Sequence, residues 1–237
     1  MKRFCTLASL ILLLGMPLLH AEGSDGNYPR LSCFYLSNFA QEQNSILVPQ
    51  LARYDLVVLD MEMGECNPGA LIGIRQLNPN IKLLAYMSCE EITSNEPSQQ
   101  SYPLRYLLKN GIEDSWWLWQ ADNSHASFWE ETWMLNCSIY CPEVNGQTWN
   151  SYFAGFITDN VLSNPLWDGF FADNCWSNVP WEAANIDCDD NGVVDDRDWL
   201  DGKWEAGMNQ MLNQLRQSNP TRLIIGNAGY NYGQQLN

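Results

Sequence analysis

Short, almost wholly apolar runs recur along the chain, and each stops at a polar residue. They cover residues 31–36, 56–59 before Asp60, 83–87 before Ser88, 170–172 before Asp173 and 223–225 before Asn227. Runs this short, with no polar alternation, are the pattern of strands buried on both faces, as a parallel sheet covered by helices requires. Helical spacing lies between them. Leu200, Trp204, Met208, Met211, Leu212 and Leu215 form one stripe that should stop near Asn219 and Pro220, and Tyr152, Phe153, Phe156, Ile157 and Val161 form another, closed before Pro165. Strand and helix in alternation predict an α/β fold with right-handed crossovers. A (β/α)8 TIM-type barrel needs eight strands and about 250 residues, so about five recognisable strands predict either an incomplete one or a smaller open sheet, the incomplete barrel being favoured on strand count. The stretch 115–150, rich in Trp and without clear period, is expected to cross the top of the sheet, where long loops usually carry function.

The first residues change the picture of where the protein works. Met1, Lys2 and Arg3 precede an apolar run to Leu19 and then Ala21, which predicts a signal peptide over 1–21, cleavage after Ala21, and a secreted or periplasmic protein. That run is short for a membrane span, and no span is expected in the mature chain. Residues 28–237 then form one domain. With 28 acidic residues against 12 basic, the net charge is −16, which repels phosphate backbones and argues against nucleic acid as a partner. Close-spaced cysteines, Cys137 with Cys141 and Cys175 with Cys188, are candidates for disulfides in an oxidising compartment.

One segment carries a specific chemical pattern. In residues 187–198, Asp187, Asp189 and Asn191 offer side-chain oxygens at positions 1, 3 and 5, and Val193 offers its carbonyl at position 7. Asp195 and Asp198 follow at positions 9 and 12, with Gly192 at the sharp turn, so the segment is expected to bind Ca2+ as an EF-hand-like loop. Val194 is expected to pin it to the protein. The closing residue is Asp rather than Glu and no EF-hand helix precedes Asp187, so a half-motif of the dockerin-like type is expected, inserted after the fourth strand with weak affinity.

Carboxylates at strand ends are the other candidates, because barrel enzymes place their chemistry there. Asp60, Glu62, Glu90, Glu91, Asp173 and Asn174 qualify, and paired carboxyls in an acidic, Trp-rich exported protein suit glycoside hydrolysis. The same residues also serve as helix caps in proteins without activity. Trp116, Trp117, Trp119, Trp129, Trp133, Trp176 and Trp181 offer rings for stacking on sugars, whereas Trp199 and Trp204 read as helix anchors.

Four stretches add a resemblance. WDGFFADN (167–174), KLLAYMSCEE (82–91), SFWEETWMLN (127–136) and LIIGNAG (223–229) resemble strands four and three, a "SFWPGTWMLN" segment and strand five of a family of hypothetical glycoside hydrolases distantly similar to polygalactosaminidase-like barrels. The resemblance implies a (β/α)8 barrel acting on a poly- or oligosaccharide, with Asp173 as nucleophile or base. Glu130 stands where that family has Pro, and strands six to eight are not present, which removes the usual source of a proton donor. Glu90 and Glu91, then Asp60, are the internal candidates for the acid. Trp129, Trp133, Asn174, Trp176 and Asn227 are expected to contact the sugar. The rival reading is a carbohydrate-binding or cell-surface protein that keeps the cleft and calcium loop without turnover.

Overall fold

The computed structural model describes residues 30–180 and 183–227; the expected leader, Trp181 and Gly229 lie outside them. Among the described residues nine strands occur: β1 (Ser32–Tyr35), β2 (Leu56–Asp60), β3 (Lys82–Ser88), β4 (Glu91–Thr93), β5 (Trp119–Gln120), β6 (Thr132–Met134), β7 (Gly169–Asp173), β8 (Ile186–Asp187) and β9 (Leu223–Gly226). Six α-helices accompany them: α1 (Asn44–Leu51), α2 (Met63–Cys66), α3 (Pro68–Leu77), α4 (Pro103–Asn110), α5 (Trp149–Phe156) and α6 (Arg197–Ser218).

The five apolar runs are the five strands of one parallel sheet, ordered β1-β2-β3-β7-β9. Order in space follows order in sequence, as same-handed crossovers give when their helices all lie on one face of the sheet. The two faces differ. Val57, Leu59, Leu83, Ala85, Met87, Phe170 and Ala172 join the helices in one large core, while Val58, Leu84 and Phe171 form a small separate cluster on the other side. Helices packed on one face only are what consecutive staves of a barrel have. Among the described residues the sheet is open, with β1 and β9 at its edges.

Local chemistry explains the helices that matter for the cleft. α3 and α4 each begin at a proline, whose missing N–H costs nothing in a first turn. Thr148 caps α5 by accepting from the Ser151 amide, and Asp196 caps α6 by accepting from the Trp199 amide. The predicted stripe on α6 is buried throughout, and the predicted α5 stripe continues past the helix into a π turn over Ile157–Val161. α5 and α6 pack together beside the 137–138 backbone. A Cβ at Gly207 would sit 2.0 Å from the Cys137 carbonyl oxygen, so this close approach admits only glycine. Asn150 Nδ2 ties the junction by donating to both the Cys137 and Gly207 carbonyls.

Three expectations need correction. The seven described cysteines, Cys137, Cys141, Cys175 and Cys188 among them, are all free thiols. Trp116 and Trp117 are core residues rather than sugar platforms, because the 115–150 excursion folds back into the main apolar cluster. Val194 does not pin the 187–198 loop: its side chain is 50% exposed, and the Asp195 amide bonded to the Ile186 carbonyl anchors the loop instead. No helix among the described residues is long and apolar enough to cross a membrane.

Candidate active site

Strand register decides which polar residues meet. Side chains alternate between faces, so partners in a parallel ladder share a face. Asp60 lies opposite Tyr86, and Ser88 opposite Asp173, which brings these four to the carboxyl ends of β2, β3 and β7 on the face away from the helices. Asn227, just past β9, joins them. Its Nδ2 donates to Asp173 Oδ1 at 2.8 Å, Tyr86 Oη donates to Asp173 Oδ2 at 2.9 Å, and the Asn174 amide donates to Oδ1 at 3.0 Å. Three donors thus fix the Asp173 carboxylate. Burial and the Asp173 charge push the Tyr86 hydroxyl upward, so it stays a donor.

Beside this group lies a cavity of about 780 Å³, lined by Asp60, Tyr86, Ser88, Glu91, Arg105 and Thr132 among others. Asp173 sits at its edge through the Tyr86 hydroxyl. Asn174 turns out of β7 with φ of 51°, and its amide nitrogen lies 3.3 Å from both Ser88 Oγ and Glu91 Oε1. A single side chain therefore bridges the ends of β3 and β7.

Glu90 and Glu91 are neighbours in sequence and opposites in environment. Glu91 faces the cavity, because β4 pairs antiparallel with β6 and sets Thr132 beside it, Thr132 Oγ1 to Glu91 Oε2 being 2.9 Å. Burial pushes its carboxyl up to about 7, the Thr132 hydroxyl pulling down and the Asp173 charge adding to the rise. Glu90 is fully buried on the helix side, with the Trp204 indole N–H and the thiols of Cys89, Cys137 and Cys175 around it. Burial, then the charge of Glu91, holds its carboxyl well above the usual carboxylate range. Sealed from the cavity, Glu90 cannot reach a substrate.

Asp60 lines the cavity but is engaged. Arg105 Nη1 donates to Asp60 Oδ1 at 2.8 Å and lies 3.7 Å from Glu62 Oε1. Glu62, wholly buried, accepts from the Leu104 and Arg105 amides at the first turn of α4. Burial raises the Glu62 carboxyl, with those two amides opposing. Nothing in the sequence marks Arg105 as Asp60's partner, whereas Tyr86 could have been found from its parity with Asp60 on the neighbouring strand.

The aromatic candidates separate in the same way. Trp129 is 60% exposed and continues through Phe128 (5.9 Å) to Trp176 (5.8 Å), a ridge beside the cleft. Trp133 has one face covered by His125, stacked at 3.8 Å, and meets Trp117 at 5.5 Å. Glu131, in the turn between Trp129 and β6, has φ of 59°; the family segment it resembles carries Gly there.

The acidic residues of the 187–198 loop also converge in part. One carboxylate oxygen each from Asp187, Asp189 and Asp195 lies within 4.8 Å of the others. Asp187 accepts from the Asn191 and Gly192 amides, Asn191 Oδ1 accepts from the Val193 amide, and Gly192 turns with φ of 83°. Asp198 is not in that group; it is exposed in the first turn of α6.

An α/β sheet that gathers carboxylates at its strand ends beside a cavity is an arrangement shared by many barrel enzymes. The chain belongs to hypothetical glycosyl hydrolase family 15, whose sequence profile matches residues 75–234. A search of curated proteins found no match. Among solved structures, a GH36 α-galactosidase AgaA variant from Geobacillus stearothermophilus, in complex with 1-deoxygalactonojirimycin, shares the fold at a TM-score of 0.51 and 14% identity. The alignment covers 86% of this chain and 28% of that one, so the chain spans little more than a quarter of its length. A Kfla1895 mutant in complex with cyclobis-(1→6)-α-nigerosyl aligns at a TM-score of 0.46 and 13% identity, over 84% of this chain and 31% of that one.

Proposed function

We propose that this protein is a secreted glycoside hydrolase of oligo- or polysaccharides, with Asp173 as nucleophile or base and Glu91 as general acid. The observation that carries the reading is the contrast between two carboxyls at adjoining strand ends. Asp173 is surrounded by three donors, and Glu91 is a half-sequestered acid whose proton is lost only near neutrality. Environments that set two carboxyls apart assign their roles. The five strands are read as consecutive staves of a (β/α)8 barrel, and Trp129 and Trp176 as the stacking ridge, with Asn174 and Asn227 contacting the sugar.

The test is a pH profile on a glycan that the protein cleaves. Hydrolysis should fall as pH rises through about 7, because Glu91 must carry its proton to protonate the leaving oxygen. Glu91→Gln should lose roughly a hundredfold in kcat and with it that alkaline limb. Binding without cleavage by the wild type across a broad glycan panel would instead identify a carbohydrate-binding protein.

The 187–198 loop is read as a Ca2+ site using Asp187, Asp189, Asn191, the Val193 carbonyl and Asp195, without the expected closing ligand Asp198. Support comes from the three converging carboxylates and from Asp189 Oδ1, a buried oxygen without a partner. Extracellular calcium modules bind with Kd of about 10⁻⁴ to 10⁻³ M, so about 10 mM calcium should stabilise the fold by roughly 1.5–2.5 kcal/mol. Tm should rise by about 4–8 °C and fall again with chelator. A melting curve indifferent to both would remove the ion from the reading.

A further inference from the structure

Thr132 Oγ1 lies 2.9 Å from Glu91 Oε2 and also 2.9 Å from the carbonyl oxygen of Trp129. A threonine hydroxyl has one proton, so it serves one of these oxygens at a time. Neither is stranded when the other is served. Ser127 Oγ donates to the same Trp129 carbonyl at 2.7 Å, and the Thr132 amide reaches it at 3.3 Å.

Two complete arrangements follow. With Glu91 ionised, the Thr132 proton goes to the carboxylate and Ser127 keeps the Trp129 carbonyl. With Glu91 neutral, its own proton goes to Thr132 Oγ1, and the Thr132 hydroxyl turns to the carbonyl. Each leaves the Glu91 carboxyl paired with Thr132, which matters because Glu91 is buried and an unserved polar group there costs more than a hydrogen bond returns.

We propose that Thr132 is a positioning residue for Glu91, its hydroxyl turning between the carboxyl and the Trp129 carbonyl as the acid gives up and regains its proton. This rests on Glu91 being the general acid. One consequence is that the turn carrying the exposed Trp129 holds an extra hydrogen bond only while the acid is loaded. Asp173 and Tyr86 face Glu91 from the strand ends, Glu90 precedes it, and Asp60, Arg105 and Glu96 line the same cavity. Among the described residues, its side-chain donors are Thr132 and Asn174.

The experiment follows the Glu91 carboxyl by ¹³C NMR titration, assigned by its disappearance in Glu91→Gln. Thr132→Val removes a donor that favours the ionised form, so the midpoint should move up by about one pH unit, tenfold in proton concentration. Thr132→Ser should restore the wild-type midpoint. Ser127→Ala leaves the Trp129 carbonyl more dependent on Thr132, and should raise the midpoint by a smaller amount; this variant lies on the surface turn and carries the test if Thr132→Val does not fold. An unmoved midpoint in Thr132→Val, or one that stays fixed or drops in Ser127→Ala, overturns the shared proton. The titration needs no substrate. If Glu91→Gln cleaves as well as wild type, the catalytic reading fails while the midpoints still judge Thr132.

Discussion

Asp173→Asn should lower hydrolysis of a cleaved glycan by roughly a thousandfold or more while leaving its binding intact. Asparagine keeps the size and one acceptor oxygen, but its amide can neither attack an anomeric carbon nor take a proton from water. The surrounding contacts say what else changes. Tyr86 and Asn227 both donate to the carboxylate, so a correctly placed amide oxygen can retain one of them while the NH₂ group faces the other donor. The fold should survive, since Asp173 lies at the cavity edge and not in the core. Calorimetry of the bound glycan beside single-turnover kinetics separates the two effects. Loss of binding together with turnover would make Asp173 a substrate anchor rather than the reacting group.

Arg105→Met should destabilise the fold by about 3–5 kcal/mol, the cost of breaking a buried ion pair from one side. Its guanidinium is mostly buried against Asp60 at 2.8 Å and Glu62 at 3.7 Å, and Glu62 is sealed from solvent. Removing the cation leaves two carboxylates close together, with the α4 amides on Glu62 as partial compensation. The sign of the pH dependence follows from Glu62. Its folded pKa is raised above the unfolded value by burial, so its contribution is fully present below the unfolded pKa of about 4.3 and is lost as pH rises through the folded one. The deficit should therefore shrink as pH is lowered through the folded pKa of Glu62, and urea unfolding at several pH values measures it. A loss under about 1 kcal/mol at every pH would show that Arg105 binds in the cleft without supporting it.

The sheet was legible in the sequence because strands buried on both faces must be apolar almost without interruption. The end residues stood out for the same reason: Asp60, Ser88, Asp173 and Asn227 interrupt those runs where the chain leaves the sheet. Choosing between Glu90 and Glu91 was not possible locally. Their opposite directions are set by β4 pairing with β6 some forty residues on, which places Glu91 by Thr132 and buries Glu90 beneath. Arg105 was invisible for a similar reason, since it reaches Asp60 from α4, 45 positions away. The tryptophans were ambiguous because size alone suits both core and stacking platform. Trp116 and Trp117 went inside with the returning loop, and Trp129 stayed out. In the 187–198 loop, spacing anticipated the turn at Gly192 and the meeting of Asp187, Asp189 and Asp195. It could not show that Val194 faces outward, because the anchoring contact is a backbone bond from Asp195 to Ile186.

The sheet face opposite the helices bears on how molecules behave toward one another in solution. Phe34, Leu223 and Ile225 stand 54%, 39% and 37% exposed there, a greasy stripe that two copies would bury if they met. A net charge of −16 opposes such an approach, and that repulsion reaches only about 8 Å at physiological ionic strength and about 3 Å in molar salt. Raising the salt concentration should therefore favour any contact made through this face, which sedimentation at two ionic strengths would read.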